Sequence, residues 1–323
     1  MPIAIEIKKH GGPEVLEVVD VPTEALEPSE IQVHNDAIGV NFIDTYFREG
    51  LYGTELPAII GDQAVATITA LGSQVEGFSV GDKVAYASIF GAYRGERCLD
   101  PRRVIKLPEG IDARAVAATL TRGLTAEYLL FRLHQLQPGE IAIIHAAAGG
   151  TGVLMTQWAK SLGATVIGTV GAESKKHTAL SNGCDHVLLH HDTNFIEQVS
   201  AITDGRMADV VYDSIGKDTF HTSIKCLKPR GLMVAFGNAS GKPDPLEVLD
   251  LARLGSLFLT RPILSHYIAT ATEFNAAAAR YFDALITGTV KIPEITEFAL
   301  NDAAKAHQHL QDRSQLSIPI LVP

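Results

Sequence analysis

Apolar and polar positions follow two different rhythms along this chain. Up to about residue 115 the apolar runs are short and β-branched, and turns separate them. "EVLEVVDVP" and "EIQVHNDAIGV" predict half-buried strands, and "ATITALGSQVEGFSVGDKVAYAS" predicts strands joined by glycine-containing turns. This part is expected to form a mostly antiparallel, barrel-like body. Beyond Pro108, "DARAVAATLTRGLTAEYLLFRLHQL" has the composition and period of a helix ending before Pro138-Gly139. From Ile141 to about Pro262, strand-length apolar runs ("IAIIHA", "TVIGTV", "HVLLH", "ADVVYDS", "GLMVAFG", "SLFLT") alternate with helix-length segments. That alternation predicts a parallel sheet covered on both faces. The chain then turns helical ("TEFNAAAARYFDALITG") and ends in "IPILVP", a final strand expected to rejoin the N-terminal body. The fold class expected is α/β, with a doubly wound nucleotide domain over 121–264 inserted in a catalytic domain of residues 1–120 and 265–323.

The alternating segment opens on a glycine loop. Strand Ile141–His145 runs into Ala147-Ala148-Gly149-Gly150-Thr151-Gly152 and then into a helix carrying Trp158. This is G-x-G-x-x-G with alanine in the first place, where Ala147 would make the tight turn at negative φ. Gly149 would let the backbone approach a pyrophosphate, and Gly152 would let helix and strand pack closely. The next strand ends in Gly171-Ala172-Glu173-Ser174-Lys175-Lys176, about twenty residues past the loop, where an NAD site places an acid against the ribose 2′-hydroxyl. Small residues followed by cations suit a 2′-phosphate instead, so NADPH is expected. Glu173 opposes that reading unless it turns away or caps the following helix, and Lys175 and Lys176 also read as a solvated helix start. His190, after the third strand, is a further candidate for the phosphate or the adenosine; the pair His190-His191 reads equally as surface.

Composition narrows the classes. Of the 323 residues, 46% are hydrophobic and 20% charged, as in an ordinary globular protein. No apolar run reaches the roughly 18–20 residues needed to cross a bilayer, and no signal peptide is expected. Three scattered cysteines, Cys98, Cys184 and Cys226, fit a reducing cytoplasm. The net charge of −10 offers no general attraction to nucleic acid or to an anionic membrane.

Over essentially its whole length the chain resembles the zinc-independent medium-chain dehydrogenases/reductases, the quinone oxidoreductases related to ζ-crystallin. The segments that carry the likeness are "KKHGGPEVLEV", "AIGVNFIDTYFREGLY", "VGDKVAY", "RGLTAEYLL", "HAAAGGTG", "VVYDSIGKDTF", "RGLMVAFGNASG" and "LTRP". The resemblance implies a GroES-like catalytic domain, an inserted Rossmann domain, NADPH as cofactor and a homodimer. It implies that Asn41, Phe42, Ile43, Asp44, Thr45 and Tyr46 line the nicotinamide side, with Thr125 and Tyr128 near the nicotinamide ribose. Gly150 and Thr151 match the pyrophosphate contacts. Gly171, Ala172, Glu173, Ser174 and Lys175, with His190 in place of a common tyrosine, match the 2′-phosphate region. Ser214, Phe236, Gly237, Asn238, Ala239 and Arg313 match further cofactor contacts.

Zinc-dependent relatives carry a cysteine and a Gly-His-Glu where this chain reads Gly39-Val40-Asn41 and Gly61-Asp62-Gln63. The thiolate and imidazole that zinc needs are missing, so no metal is expected. Without a Lewis acid, alcohol oxidation is disfavoured. An easily reduced quinone or enone suits the site better, its developing oxyanion met by Asn41, Tyr46 or Tyr52. A 2-enoyl-thioester reductase and a non-enzymatic NADPH- or RNA-binding protein remain as other readings.

Overall fold

The computed structural model describes residues 2–323. They divide into two compact units: one holds the chain through Leu124 with Ile268–Ile286 and Ile292–Pro323, the other holds Thr125–Tyr267 with Thr287–Lys291.

The N-terminal part contributes strands β1 (Ile3–Ile7), β2 (Leu16–Asp20), β3 (Ile31–Gly39), β4 (Ala58–Ile59), β5 (Gln63–Leu71), β6 (Lys83–Ala87), β7 (Glu96–Leu99) and β8 (Ile105–Lys106). The second unit contributes β9 (Ile141–Ile144), β10 (Thr165–Val170), β11 (His186–Leu189), β12 (Ala208–Asp213), β13 (Leu227–Ala235) and β14 (Phe258–Thr260). The C-terminal part returns with β15 (Ile295–Ala299) and β16 (Ile318–Val322). Three helices matter for the site: α1 (Phe42–Arg48), α2 (Ala113–Tyr128) and α3 (Gly150–Ser161).

In the first unit, strands run β15-β16-β3-β5-β6-β8, with β7 also on β3, beside a small sheet β2-β1-β4. Its pairings are antiparallel except β15 with β16. The alternation along β3 explains its seat: Ile31 and Val33 are buried, and Gln32 and His34 between them are not. β16 pairs with β3 through Ile320 opposite Gly39 and Leu321 opposite Ile38, which brings the two ends of the chain into one sheet. β2 departs from the half-buried strand expected of it. It is an edge strand with no buried residue, and Val18 is exposed.

The second unit is one parallel sheet in the order β11-β10-β9-β12-β13-β14. Counted from β9 this is the doubly wound order 3-2-1-4-5-6. Every residue of β9 and β12 is buried, as the uninterrupted apolar runs require of strands covered on both faces.

The long helix expected after Pro108 is α-helical to Tyr128 and continues as a π-helical turn, Leu129–Leu133. Gly123 within it is steric: a Cβ there would overlap the ring of Tyr281. Among the described residues no helix is long and apolar enough to cross a membrane.

Candidate active site

The glycine loop turns sharply at the end of β9. The left-handed residue is Ala146 (φ 51°), one place before the alanine expected to make the turn. Gly149 caps α3, and its N–H donates to the Ala146 carbonyl at 2.8 Å. A Cβ on Gly152 would overlap the Ala146 carbonyl oxygen and lie 2.8 Å from Ala147 Cα, so no larger residue fits. The open first turn of α3 then presents backbone N–H groups and the positive helix end to an anion. Beneath the loop, His145 Nδ1 lies 2.8 Å from Thr169 Oγ1, and its Nε2 lies 2.6 Å from Ser223 Oγ. Burial lowers its pKa, so the ring bridges the two hydroxyls as a neutral group.

At the end of β10, Gly171, Ala172, Glu173 and Ser174 are exposed and Lys175 is half-buried. The Glu173 carboxylate pairs with Lys176 at 3.0 Å, so this acid is turned onto its own helix start. The His190 ring lies over Gly171, where a Cβ would stand 3.2 Å from Cε1. The loops after β12 and β13 interlock. Phe236 N–H donates to the Asp213 carbonyl and Ala239 N–H to that of Ser214, while a Cβ on Gly237 would overlap Ser214. The buried Asp213 carboxylate stiffens the first loop by accepting from Ile215 N, Gly216 N and Thr219 Oγ1. Tyr128 stacks on Tyr267 with ring centroids 4.3 Å apart, immediately before the π-helical turn, and Thr125 lies one turn earlier. A tight loop of small residues with Gly152 sterically required, at a helix N-terminus, fits a dinucleotide pyrophosphate.

In the first unit the "NFIDTY" residues form α1, with Asn41 at its N-cap and Gly50 (φ 76°) just past its end. Phe42 is exposed and Ile43 half-buried. Tyr46 meets Tyr52 edge-on at 5.4 Å, and Tyr52 meets Phe47 at 5.7 Å. Asp44 and Thr45, expected on the nicotinamide side, are buried. Thr45 Oγ1 donates to the Phe42 carbonyl, and Asp44 Oδ2 accepts the Asn41 backbone N–H at 2.7 Å and the Tyr93 hydroxyl at 2.9 Å. The physical reason is the helix itself: a residue at its third position reaches back to the cap, and a carboxylate there satisfies an N–H that the helix leaves open. Arg313 lies on an exposed turn before β16.

At the positions of the missing zinc ligands, the Asn41 amide donates to Asp62 Oδ1 at 3.3 Å. The Gln63 amide is occupied with α2, donating to the Ala117 carbonyl at 2.6 Å and accepting from Thr121 N. These amides and this lone carboxylate do not fit a catalytic zinc, and among the described residues no three His, Cys, Asp or Glu converge on one point.

A buried charge cluster around Asn41 was not legible beforehand. Burial raises Asp62 to about 6, and burial with the neighbouring Asp62 charge holds Asp44 well above the usual carboxylate range. Arg122, buried and donating to the Ala118 and Val40 carbonyls, is lowered to about 10 by the same desolvation. An arginine in the otherwise uncharged stretch "AVAATLTRGL" was the one available signal.

Residues 27–141 match the family model of the alcohol dehydrogenase GroES-like domain, and residues 150–283 match that of the zinc-binding dehydrogenases. A quinone oxidoreductase of Salmonella typhimurium is 44% identical, with all of both chains covered. The chain belongs to the quinone oxidoreductase family of medium-chain dehydrogenases/reductases. Family resemblance extends to a 2-haloacrylate reductase of Burkholderia sp, 41% identical over 100% of this chain and 99% of the relative. The Escherichia coli quinone oxidoreductase, solved in complex with NADPH, superposes with a TM-score of 0.96 at 40% identity, covering 99% of this chain and all of that one.

Proposed function

We infer that this chain is an NADPH-dependent quinone oxidoreductase that works without a metal. The observation that carries the reading is the 44% identity to a quinone oxidoreductase over the full length of both chains. It is supported by a glycine loop that packs the N-terminus of α3 tightly against the end of β9.

The residues that would hold NADPH fall into groups. Gly149, Gly150, Thr151 and Gly152 would cradle the pyrophosphate at the N-terminus of α3. Gly171 to Lys175 and His190 would take the adenosine 2′-phosphate, and Glu173 does not oppose this because its charge is spent on Lys176. Thr125, Tyr128, Ser214, Phe236 to Ala239 and Arg313 would complete the grip. Bound NADPH supplies a hydride from its nicotinamide ring. The protein's part is to align the acceptor, keep water out and meet the negative charge growing on the quinone oxygen. Asn41 offers an amide for this, and Tyr46 and Tyr52 offer hydroxyls. The hydride would bring two electrons and one hydrogen, and a single further proton, at the oxygen that these donors face, would complete the hydroquinone.

The same reading includes a homodimer of a cytoplasmic protein. β14 is the open edge of its sheet, and Phe258, Leu259 and Ile263 are exposed on or near it, with Val248 and Leu249 exposed close by in sequence. An apolar strand edge of this kind favours pairing with a second copy.

The test is a panel: NADPH or NADH oxidation with a series of quinones, 2-chloroacrylate and a crotonyl thioester. Quinone turnover preferring NADPH is expected. Turnover confined to the acrylate or the thioester would overturn the quinone assignment.

A further inference from the structure

Two side chains of α1 and two from distant parts of the chain form a single file. Arg48 Nη1 lies 2.8 Å from His307 Nδ1, His307 Nε2 lies 2.9 Å from the Tyr93 hydroxyl, and that hydroxyl lies 2.9 Å from Asp44 Oδ2. All four are essentially inaccessible to solvent. Chemistry settles the direction of every bond. A guanidinium only donates, so His307 Nδ1 must accept. Burial and the Arg48 charge push the His307 pKa down to about 3, so the ring is neutral and its one proton sits on Nε2. That proton goes to the Tyr93 oxygen, which leaves the tyrosine's own proton for Asp44.

The end of the file is Asn41. Asp44 Oδ2 takes the Asn41 backbone N–H, while Asp62 takes its side-chain amide. Asp44 Oδ1 is buried and makes no hydrogen bond, so the hydrogen bonds that hold the carboxylate fall on Oδ2.

We propose that Tyr93 and His307 are positioning residues for the reaction: the one-way file Arg48–His307–Tyr93–Asp44 holds Asn41 between two carboxylates, in the orientation in which its amide meets the acceptor. The proposal rests on the quinone reductase reading, because that reading puts Asn41 against the substrate. The groups facing Asp44 are Asn41, Tyr93, Asp62 and Arg122, and those facing Asp62 are Asn41, Arg122, Asp44 and Tyr93. Protonating this pair weakens both bonds on Asn41, so activity falls on the acid side. Losing the Tyr93 donor destabilises the Asp44 anion and moves that acid limb upward.

Three variants test it. Gln at 307 keeps an acceptor toward Arg48 and a donor toward Tyr93, whereas Leu keeps neither. His307→Leu and Tyr93→Phe are expected to lower kcat/KM for the quinone about tenfold and to raise the acid limb of its pH profile by about one unit, the effect of one donor on a buried carboxylate. His307→Gln should recover both. A folded His307→Leu with wild-type kcat/KM and pH profile, or a Gln variant as impaired as Leu, would overturn the proposal. Should the Leu variant not fold, Tyr93→Phe, which removes one oxygen, decides by the same two readouts. The file is also read without turnover. Ring ¹⁵N NMR should show His307 as the neutral Nε2–H tautomer, and an Nδ1–H tautomer would refute the stated direction. Wild-type turnover of quinones tests the functional reading separately.

Discussion

Gly152 lies so close to Ala146 that a single methyl group on it would overlap the Ala146 carbonyl oxygen. The contact joins the start of α3 to the left-handed turn at the end of β9, so helix, turn and strand are held in one arrangement. Gly152→Ala should therefore cost about 1–3 kcal/mol of stability, the usual penalty of overpacking. It should also weaken NADPH binding, because the turn must open. Gly149→Ala is the control: its Cβ would lie 3.2 Å from the same oxygen, a fit that a small shift relieves. Thermal melts with and without NADPH check both, and equal melting temperatures for the two variants would contradict the steric account.

Lys175 stands at the helix start after β10, in the stretch proposed for the 2′-phosphate, beside the Glu173–Lys176 pair. Lys175→Glu should lower the preference for NADPH over NADH about tenfold or more, the effect of one charge-assisted bond, and leave NADH kinetics nearly unchanged. Parallel KM determinations with the two cofactors decide, and an unchanged ratio would remove Lys175 from the phosphate site.

Asp62 makes a prediction about stability and pH. Its native pKa of about 6 lies above the ordinary 3.8, so between those values the folded protein holds a proton that the unfolded chain has released. Stability therefore falls as pH rises from about 4 to 6, by an amount on the order of 3 kcal/mol for this group. Asp62→Asn should lose that fall. Urea unfolding of the two proteins across this range gives the difference, in which carboxylates with lowered pKa values elsewhere cancel. Parallel stability curves for the two proteins would show that Asp62 ionises normally.

Phe258, on the open edge of β14, is 62% exposed in a protein that buries most of its large apolar side chains. Phe258→Glu should convert a dimer into a monomer without altering the fold, since most of the side chain faces away from its own chain. Light scattering on both proteins reads this directly. A wild-type monomer, or an unaltered dimer in the variant, would move the association surface elsewhere.

The sequence by itself determined what depends on near neighbours. Alternating apolar runs of strand and helix length set the parallel sheet and its six strands, because periodicity is a local property. The spacing of Gly149 and Gly152 after β9 marked the dinucleotide loop, and the stretch after β10 marked the phosphate end. Even there the tertiary structure shifted detail, moving the left-handed turn to Ala146 and spending the Glu173 charge on Lys176. The surroundings of Asn41 were decided only by the fold. Arg48 and His307 stand 259 residues apart, and they meet because β16 returns to pair with β3. The place of Asp44 in "NFIDTY" gives no sign that its carboxylate accepts the Tyr93 hydroxyl, 49 residues away. Burial, which lifts Asp62 to about 6 and strips His307 of its charge, is a property of everything packed around a group. No local pattern of residues records it.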